Sequence, residues 1–160
     1  MKLIIIRHAV AADPVEGQRD SARPLTSAGK RKFSGVVKGL KRLGISFVHV
    51  LHSPLLRAVE TADLLSELVE GELRSSGLMA RAPTKALLEE LSEERMALVG
   101  HEPYVSELVA WLATSDRKLA RAFPFKKGGV VVLEGEPKPG GMHVAALLTP
   151  RQLRAIGRKR

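Results

Sequence analysis

A short apolar run that ends in an arginine–histidine pair opens the chain: residues 3–6 are apolar, three of them isoleucine, and Arg7 and His8 follow. Consecutive β-branched residues are typical of a strand that is buried on both faces of a sheet. A second apolar run, residues 96–99, is followed closely by His101. Ligands of open α/β sheets bind at the carboxyl ends of the strands. The two histidines are therefore predicted to lie at one edge of a sheet, in a phosphate site.

Helix and strand signals alternate along the first half of the chain. Thr26 is predicted to cap a helix whose apolar spacing continues to Gly44. Residues 47–51 are predicted to form the second strand. Ser53 and Pro54 are expected to begin the next helix, with the serine as N-cap and the proline in the first helical position.

The second half continues this alternation. Residues 71–83 indicate a loop or a weak strand, the pattern of residues 87–91 favours no single structure, and Pro103 is predicted to begin a helix. Residues 129–133 and 142–148 indicate a terminal strand pair joined by a glycine- and proline-rich turn, and a short helix ends the chain.

The alternation as a whole indicates an α/β fold. We expect a three-layer sandwich with a mostly parallel central sheet and an antiparallel edge. The length of 160 residues suits one domain spanning the whole chain.

Composition restricts the classes of partner. The formal net charge of +9 predicts attraction to anions, but aromatic residues make up only 4% of the chain, which disfavours nucleic acid because base-stacking platforms are scarce. No apolar stretch approaches the roughly 20 residues needed to cross a bilayer, and the first apolar run is too short for a signal peptide. We therefore expect a cytoplasmic protein without a membrane partner, and the absence of cysteine is compatible with that location.

Four side chains are expected to converge at the strand ends. Arg7 and His8 follow the first strand, Arg57 lies in the first turn of the helix after the second strand, and His101 precedes another helix. Two arginines can grip phosphate oxygens with paired N–H donors. One histidine can attack phosphorus in its neutral form while the other, charged, stabilises the oxyanions. Each residue alone has an ordinary structural explanation, such as a cap or a surface side chain, and their joint placement favours a site.

Three segments of the chain resemble the histidine phosphatase superfamily, which includes cofactor-dependent phosphoglycerate mutase. These are Arg7-His8-Ala9, residues 53–58 with Thr61, and residues 100–103. The alanine after the arginine–histidine pair, the short length, and residues 23–26 with Gly29 are similar to the SixA-type phosphohistidine phosphatase branch. The resemblance implies a phosphoglycerate mutase-like fold.

The resemblance also implies roles for individual residues. His8 is the expected nucleophile, which forms a transient phosphohistidine that water hydrolyses. Arg7, Arg57 and His101 are expected to bind the phosphoryl group, and Arg23 is expected to help bind phosphate or substrate. No cofactor and no metal are implied, and the remaining histidines do not have the spacing of a zinc signature.

The general acid is the point at which the chain departs from the family pattern. Many members use a carboxylate on a segment before the second histidine, and here Glu89, Glu90 and Glu102 are the candidates. The alternative for Glu89 and Glu90, together with Glu93 and Glu94, is a solvated helix face. SixA-type members resemble one another in lacking a clear acid, and a protonated phosphoimidazole is already a good leaving group.

Three functional hypotheses remain open at this point. The chain is a phosphatase for phosphohistidine on a signalling protein, such as a histidine phosphotransfer domain. Alternatively, it applies the same chemistry to a small phosphoester or nucleotide. The third hypothesis is a non-catalytic module that binds phosphate or nucleic acid through the basic surface.

Overall fold

A six-stranded sheet forms the centre of the computed structural model, which describes residues 1–92 and 94–158. The strands are β1 (Lys2–Arg7), β2 (His49–His52), β3 (Leu73–Ser75), β4 (Arg95–Gly100), β5 (Val130–Gly135) and β6 (Met142–Leu148). Their order across the sheet is β3-β2-β4-β1-β5-β6. Strands β1 to β4 run parallel, and β5 is antiparallel to both of its neighbours. The mostly parallel sheet with an antiparallel edge confirms the predicted class.

Helices cover both faces of the sheet. Within the described residues they are α1 (Ser27–Arg42), α2 (Leu56–Leu64), α3 (Lys85–Glu89), α4 (Tyr104–Thr114) and α5 (Pro150–Gly157). One core joins the sheet to α1, α2 and α5, and a second core joins the opposite face to α3 and α4. This produces the predicted three layers. None of the helices in the part of the chain described here is long and apolar enough to cross a membrane.

Burial on both faces explains why β1 lies inside the sheet. Leu3 and Ile5 point into the core with α4, whereas Ile4 and Ile6 point into the core with α1 and α2, and all four are fully buried. Burying one such side chain contributes about 1.5–3 kcal/mol. A sheet covered by helices on one face alone would expose half of these side chains, so the run is stable only where helices cover both faces.

The strand register brings three chain segments to the same level at the carboxyl edge. Arg7 lies opposite Gly100 in the β1–β4 pairing. The His8 N–H donates to the Gly100 carbonyl at 3.0 Å, and the Ser53 N–H donates to the Val99 carbonyl at 3.0 Å. The residues that follow β1, β2 and β4 therefore meet above one end of the sheet.

The helix after β2 begins later than predicted. Ser53 is not its N-cap and Pro54 is not its first residue, because α2 begins at Leu56. The Ser53 Oγ accepts from the Leu55 N–H at 3.2 Å and lies 2.6 Å from His101 Nε2. The Ser53 hydroxyl therefore contacts the histidine that follows β4. Residues 53–55 form a bend before α2 and are not part of the helix.

Smaller differences concern element boundaries. Strand β2 begins at His49, because Phe47 forms only an isolated bridge with Val69. The predicted helix at Pro103 begins one residue later, and Pro103 takes the N-cap position. Residues 71–83 contain the short strand β3 and a 3-10 turn.

Helix α5 packs closely against α1 through a glycine. A Cβ atom built on Gly39 would lie 2.1 Å from the Leu153 carbonyl oxygen, which is backbone and cannot move without shifting the helix. At Gly35, on the same helix, the nearest atom to such a Cβ is the Arg154 Cγ at 3.0 Å, part of a flexible side chain. Leu153 itself is fully buried. The position of α5 therefore depends on Gly39.

We predict that Gly39→Ala lowers the free energy of unfolding by about 1–3 kcal/mol, because the added methyl group overlaps the Leu153 carbonyl. Gly35→Ala is the matched control, since alanine is favoured over glycine in a helix by about 1 kcal/mol and Arg154 can move aside. Urea denaturation followed by circular dichroism measures both values. Equal effects of the two substitutions would contradict the close contact between α1 and α5.

Candidate active site

Five predicted site residues lie together at the carboxyl edge of the sheet. Arg7 and His8 end β1, Arg57 is in the first turn of α2, and His101 directly follows β4. His8, Arg57 and His101 are buried, and the two imidazole rings lie 5.2 Å apart between centroids. We call Arg7, His8, Arg57 and His101 the histidine–arginine cluster. Arg23 joins it indirectly, through Asp20.

His8 is held as a neutral imidazole with a defined tautomer. Its Nδ1 lies 2.7 Å from the Ala9 carbonyl oxygen, which can only accept, so Nδ1 carries the hydrogen and Nε2 keeps a free lone pair. Burial lowers the pKa of His8 to about 3; the hydrogen bond to Ala9 opposes this shift, and the positive charges of neighbouring side chains add to it. His8 is therefore neutral at pH 7 with Nε2 available for attack.

Thr61 ties the His8 segment to α2. The Ala9 N–H donates to the Thr61 Oγ1 at 3.0 Å, and that hydroxyl donates to the Arg57 carbonyl at 2.6 Å. Thr61 is fully buried. One threonine thus links the backbone of the nucleophile's segment to the helix that carries Arg57.

Asp20 orients two arginines, and the sequence analysis did not identify it. Its Oδ2 accepts from an Arg57 terminal nitrogen at 3.0 Å, and its backbone carbonyl accepts from the other at 2.9 Å. The Asp20 Oδ1 accepts from the Arg23 Nε at 2.8 Å, and Arg23 also donates to the Ala12 carbonyl. The Arg23 hydrogen bond, followed by Arg57, lowers the pKa of Asp20. The spacing of Asp20 and Arg23 by three residues was the available signal.

Glu102 holds the loop that orients Arg7. Arg7 donates to the Phe125 carbonyl at 2.8 Å. The Glu102 Oε1 accepts from the Ser106 hydroxyl at 2.6 Å and from the Phe125 N–H at 3.3 Å. Burial lowers the pKa of Arg7, and the negative charge of Glu102 opposes that shift. The hydrogen bonds of this candidate acid therefore serve to position Arg7.

His101 has a pKa lowered to about 4, mainly by burial; Arg57 adds to the shift and Asp20 opposes it. This favours the neutral imidazole at pH 7 in the free protein, and the charged form expected from the sequence stays a prediction for the phosphoryl-bound enzyme. The His101 Nε2 lies 2.6 Å from the Ser53 Oγ. Ser53, which the sequence analysis explained as a helix cap, thus belongs to the site. The available signal was its position directly after β2, because Arg7 ends β1 and His101 directly follows β4 at the same edge of the sheet.

Three buried N–H or ring nitrogen atoms of the cluster have no hydrogen-bond partner: Arg7 Nε, Arg57 Nε and His101 Nδ1. Among the described residues, every other buried side-chain nitrogen or oxygen atom has a hydrogen-bond partner. Buried polar atoms are nearly always paired, and exceptions concentrate at functional sites. Unpaired nitrogens on two arginines and one histidine around His8 suit a ligand rich in acceptor oxygens, such as a phosphoryl group.

Among the described residues, the other candidate acids have no hydrogen bond or ion pair with the cluster. Glu89 is exposed at the end of α3, and Glu90 accepts from the Ser76 hydroxyl at 3.1 Å, beyond β3. Helix α3 ends before Glu94, which is exposed, so Glu94 does not share a helix face with Glu89. Glu93 lies outside the described residues. Over residues 1–92 and 94–158, no group of three or more His, Cys, Asp or Glu side chains is arranged to hold a metal ion.

Comparison with known proteins identifies the class of protein. Residues 3–77 match the model of the histidine phosphatase superfamily (branch 1). The phosphohistidine phosphatase SixA of Escherichia coli (strain K12) is 30% identical over 125 residues, which cover 72% of this chain and 76% of SixA. The chain therefore belongs to the histidine phosphatase superfamily, and it is a phosphatase with similarity to SixA.

Solved structures share the fold. The protein histidine phosphatase SixA complexed with tungstate superposes with a TM-score of 0.79 at 23% identity, over 96% of this chain and 99% of that chain. A putative alpha-ribazole-5'-P phosphatase from Escherichia coli K-12 superposes with a TM-score of 0.74 at 20% identity, over 94% and 97%. The architecture is thus phosphoglycerate mutase-like, and phosphatases with different substrates have it.

We predict that stability falls as the pH is lowered from about 6.5 to 4. Unfolded histidine has a pKa of about 6.5, whereas His8 and His101 have values of about 3 and about 4 when folded. The unfolded chain therefore binds more protons in this window, at up to about 1.4 kcal/mol per pH unit for each histidine. Urea denaturation at several pH values measures the slope.

His8→Gln and His101→Gln should each reduce that slope, because glutamine does not titrate. The control is His143→Gln, since His143 is exposed on β6. Slopes that are the same in the wild type and both cluster variants would contradict the depressed pKa values.

Proposed function

We propose that this enzyme removes the phosphoryl group from phosphohistidine on a signalling protein, through a transient phosphohistidine on His8. The observation that carries the proposal is the free Nε2 lone pair of a neutral His8 inside a cluster of two arginines and a second histidine. In this proposal the enzyme is metal-independent and cytoplasmic, and residues 1–160 form one catalytic domain.

The first step transfers the phosphoryl group to the enzyme. The lone pair of His8 Nε2 attacks phosphorus, and the bond between phosphorus and the substrate imidazole breaks. The electron pair of that bond goes to the substrate nitrogen. Because the substrate phosphoimidazole is protonated on its other nitrogen, the leaving group is a neutral imidazole. His8, with its hydrogen on Nδ1, becomes the protonated phosphoimidazole. The enzyme does not have to supply a proton, which fits the described carboxylates Asp20 and Glu102, since both accept hydrogen bonds that orient the arginines.

The second step hydrolyses the intermediate. A water oxygen attacks phosphorus, the bond to Nε2 breaks, and its electron pair returns to His8. Both water protons leave with the product as dihydrogen phosphate, and the Ala9 carbonyl keeps the hydrogen on Nδ1 throughout. Arg7, Arg57 and His101 stabilise the negative oxygens in both transition states, as positioned donors do in other phosphoryl transfers. Arg23 assists by holding Asp20 against Arg57.

A small phosphoester is the second candidate substrate, and the fold shared with an alpha-ribazole-5'-P phosphatase favours it. An alkoxide leaving group needs a proton, and a general acid typically contributes about 10²–10⁴-fold. In the described part of the chain, no hydrogen bond or ion pair joins Glu89 or Glu90 to the cluster. The cluster therefore suits phosphohistidine better than an ester.

A non-catalytic binding module is disfavoured, because the chain is a phosphatase of this superfamily.

We predict that His8→Ala lowers kcat on a phosphohistidine-bearing protein by more than about 1,000-fold, because the variant lacks the nitrogen proposed to attack phosphorus. Phosphate release is measured in EDTA, with an aryl phosphate as the second substrate and with circular dichroism to verify folding. His143→Ala is a control, since this histidine is exposed on β6 and is not in the cluster.

Activity of His8→Ala at the wild-type level would overturn the proposed nucleophile. Turnover of the aryl phosphate alone would retain the mechanism and assign the enzyme to small esters. Loss of activity in EDTA that added metal restores would contradict metal independence.

We also predict that Glu89→Gln and Glu90→Gln leave phosphohistidine turnover within about twofold of the wild type, because neither carboxylate has to deliver a proton to a leaving imidazole. Single-turnover assays with the same phosphoprotein measure this rate. A decrease of about 100-fold in either variant would establish that carboxylate as a general acid and would favour an ester substrate.

A further inference from the structure

A groove with a volume of about 1050 Å³ opens beside the histidine–arginine cluster, between α1, residues 124–128 and the beginning of α5. We call it the basic groove, because six cationic side chains line it and no acidic residue does. The cations are Arg7, Lys32, Lys126, Lys127, Arg151 and Arg154.

The positive charge of this groove is not neutralised within the described residues. Lys30 and Lys41, on the same helix as Lys32, form ion pairs with Glu60 and Glu67. Lys32, Lys126, Lys127, Arg151 and Arg154 form no ion pair with a described carboxylate. Like charges gathered on concave walls create a strong positive potential, which attracts and orients an anionic partner.

The groove also has apolar lining residues, and two of them are partly exposed. Val10 and Leu147 line it with 37% and 41% of their surface exposed. Phe33 and Phe125 also line it, but they are only 1% and 6% exposed, so their faces are not available to stack on nucleic-acid bases. Exposed apolar side chains together with charged ones are typical of protein–protein contact surfaces. The lining therefore favours an acidic polypeptide over a nucleic acid.

The groove is continuous with the cluster. Arg7 belongs to both, and it donates to the carbonyl of Phe125, which also lines the groove. A polypeptide that occupies the groove therefore extends to the arginine that faces the phosphoryl group. Its phosphorylated side chain can then enter the cluster while its neighbouring residues stay in the groove.

We propose that the basic groove docks an acidic segment of the phosphoprotein substrate. Aliphatic side chains of that segment lie on Val10 and Leu147, and its carboxylates face Lys32, Arg151 and the other rim cations. The inference rests on the proposed phosphohistidine phosphatase function. It adds that the enzyme selects substrates with acidic residues near the phosphohistidine. The groove raises affinity for the protein substrate and leaves the chemical step to the cluster.

The test uses two peptides that differ only in charge. Both carry one histidine and the same aliphatic residues, and the flanking positions are Asp and Glu in one peptide and Asn and Gln in the other. Fluorescence anisotropy measures binding of the unphosphorylated peptides at low salt, and phosphate release measures kcat/KM for the phosphorylated ones. A single-stranded oligonucleotide of equal charge is a third ligand.

The enzyme variants reverse charge inside and outside the groove. Lys32→Glu combined with Arg151→Glu changes two exposed rim residues, and neither belongs to the cluster. Lys118→Glu is the matched control, since Lys118 is exposed in another part of the surface and does not line the groove. Turnover of the aryl phosphate is expected to be unchanged in both variants.

The wild type and Lys118→Glu should bind the acidic peptide at least about tenfold more tightly than the peptide with Asn and Gln at the flanking positions. In Lys32→Glu/Arg151→Glu the preference should fall to within about twofold. Equal binding of the two peptides to the wild type, or a preference that survives the double substitution, would overturn the docking site. So would an oligonucleotide that binds more tightly than the acidic peptide and depends on the same two residues.

The two proposals fail in different ways. If the wild type binds the acidic peptide preferentially but hydrolyses neither phosphopeptide, the groove is supported and the proposed function is wrong. If it hydrolyses both phosphopeptides with equal kcat/KM and binds both equally, the function is supported and the groove is wrong.

Discussion

The parallel pairing of β1 with β4 is the contact on which the site depends. It places Arg7 opposite Gly100, so the residues after both strands lie at one height above the sheet. The hydrogen bond from the His8 N–H to Gly100 continues this pairing past the end of β1. A shift of one residue would exchange the side chains of β1 between two closely packed cores and would move His8 out of level with His101. The two cores therefore fix the relative positions of His8 and His101.

Burial has opposite effects on stability and on reactivity in this cluster. It makes charged histidine unfavourable, so His8 and His101 stay neutral and the fold loses stability in acid. The same burial keeps the lone pair of His8 unprotonated at pH 7 and strengthens attraction between arginines and a phosphoryl group. The unpaired nitrogens of Arg7, Arg57 and His101 fit this pattern, because energy lost in the free protein is recovered when a ligand supplies acceptors.

Local signals predicted the parts of the site that follow strands, and they missed the contacts made across long loops. Arg7, His8 and His101 were predictable because apolar runs mark buried strands whose ends share one edge. Asp20 was not, because its contact with Arg57 joins residues 37 positions apart and depends on how the loop before α1 closes. Ser53 was assigned to a cap because its short-range pattern fits one, whereas His101 uses the hydroxyl instead. The fold class was predictable from the alternation of elements, although the start of α2 was not.

The close contact at Gly39 has a consequence beyond stability. It packs α5 against α1, and α5 carries Arg151 and Arg154, so a glycine that does not line the basic groove helps to position one of its walls. The cluster is complete by His101, whereas one side of that groove is built from the last helix. In the proposed docking, α5 therefore contributes to substrate choice although it carries no residue of the cluster. A change in α5 would alter the proposed partner without touching a side chain that takes part in the reaction.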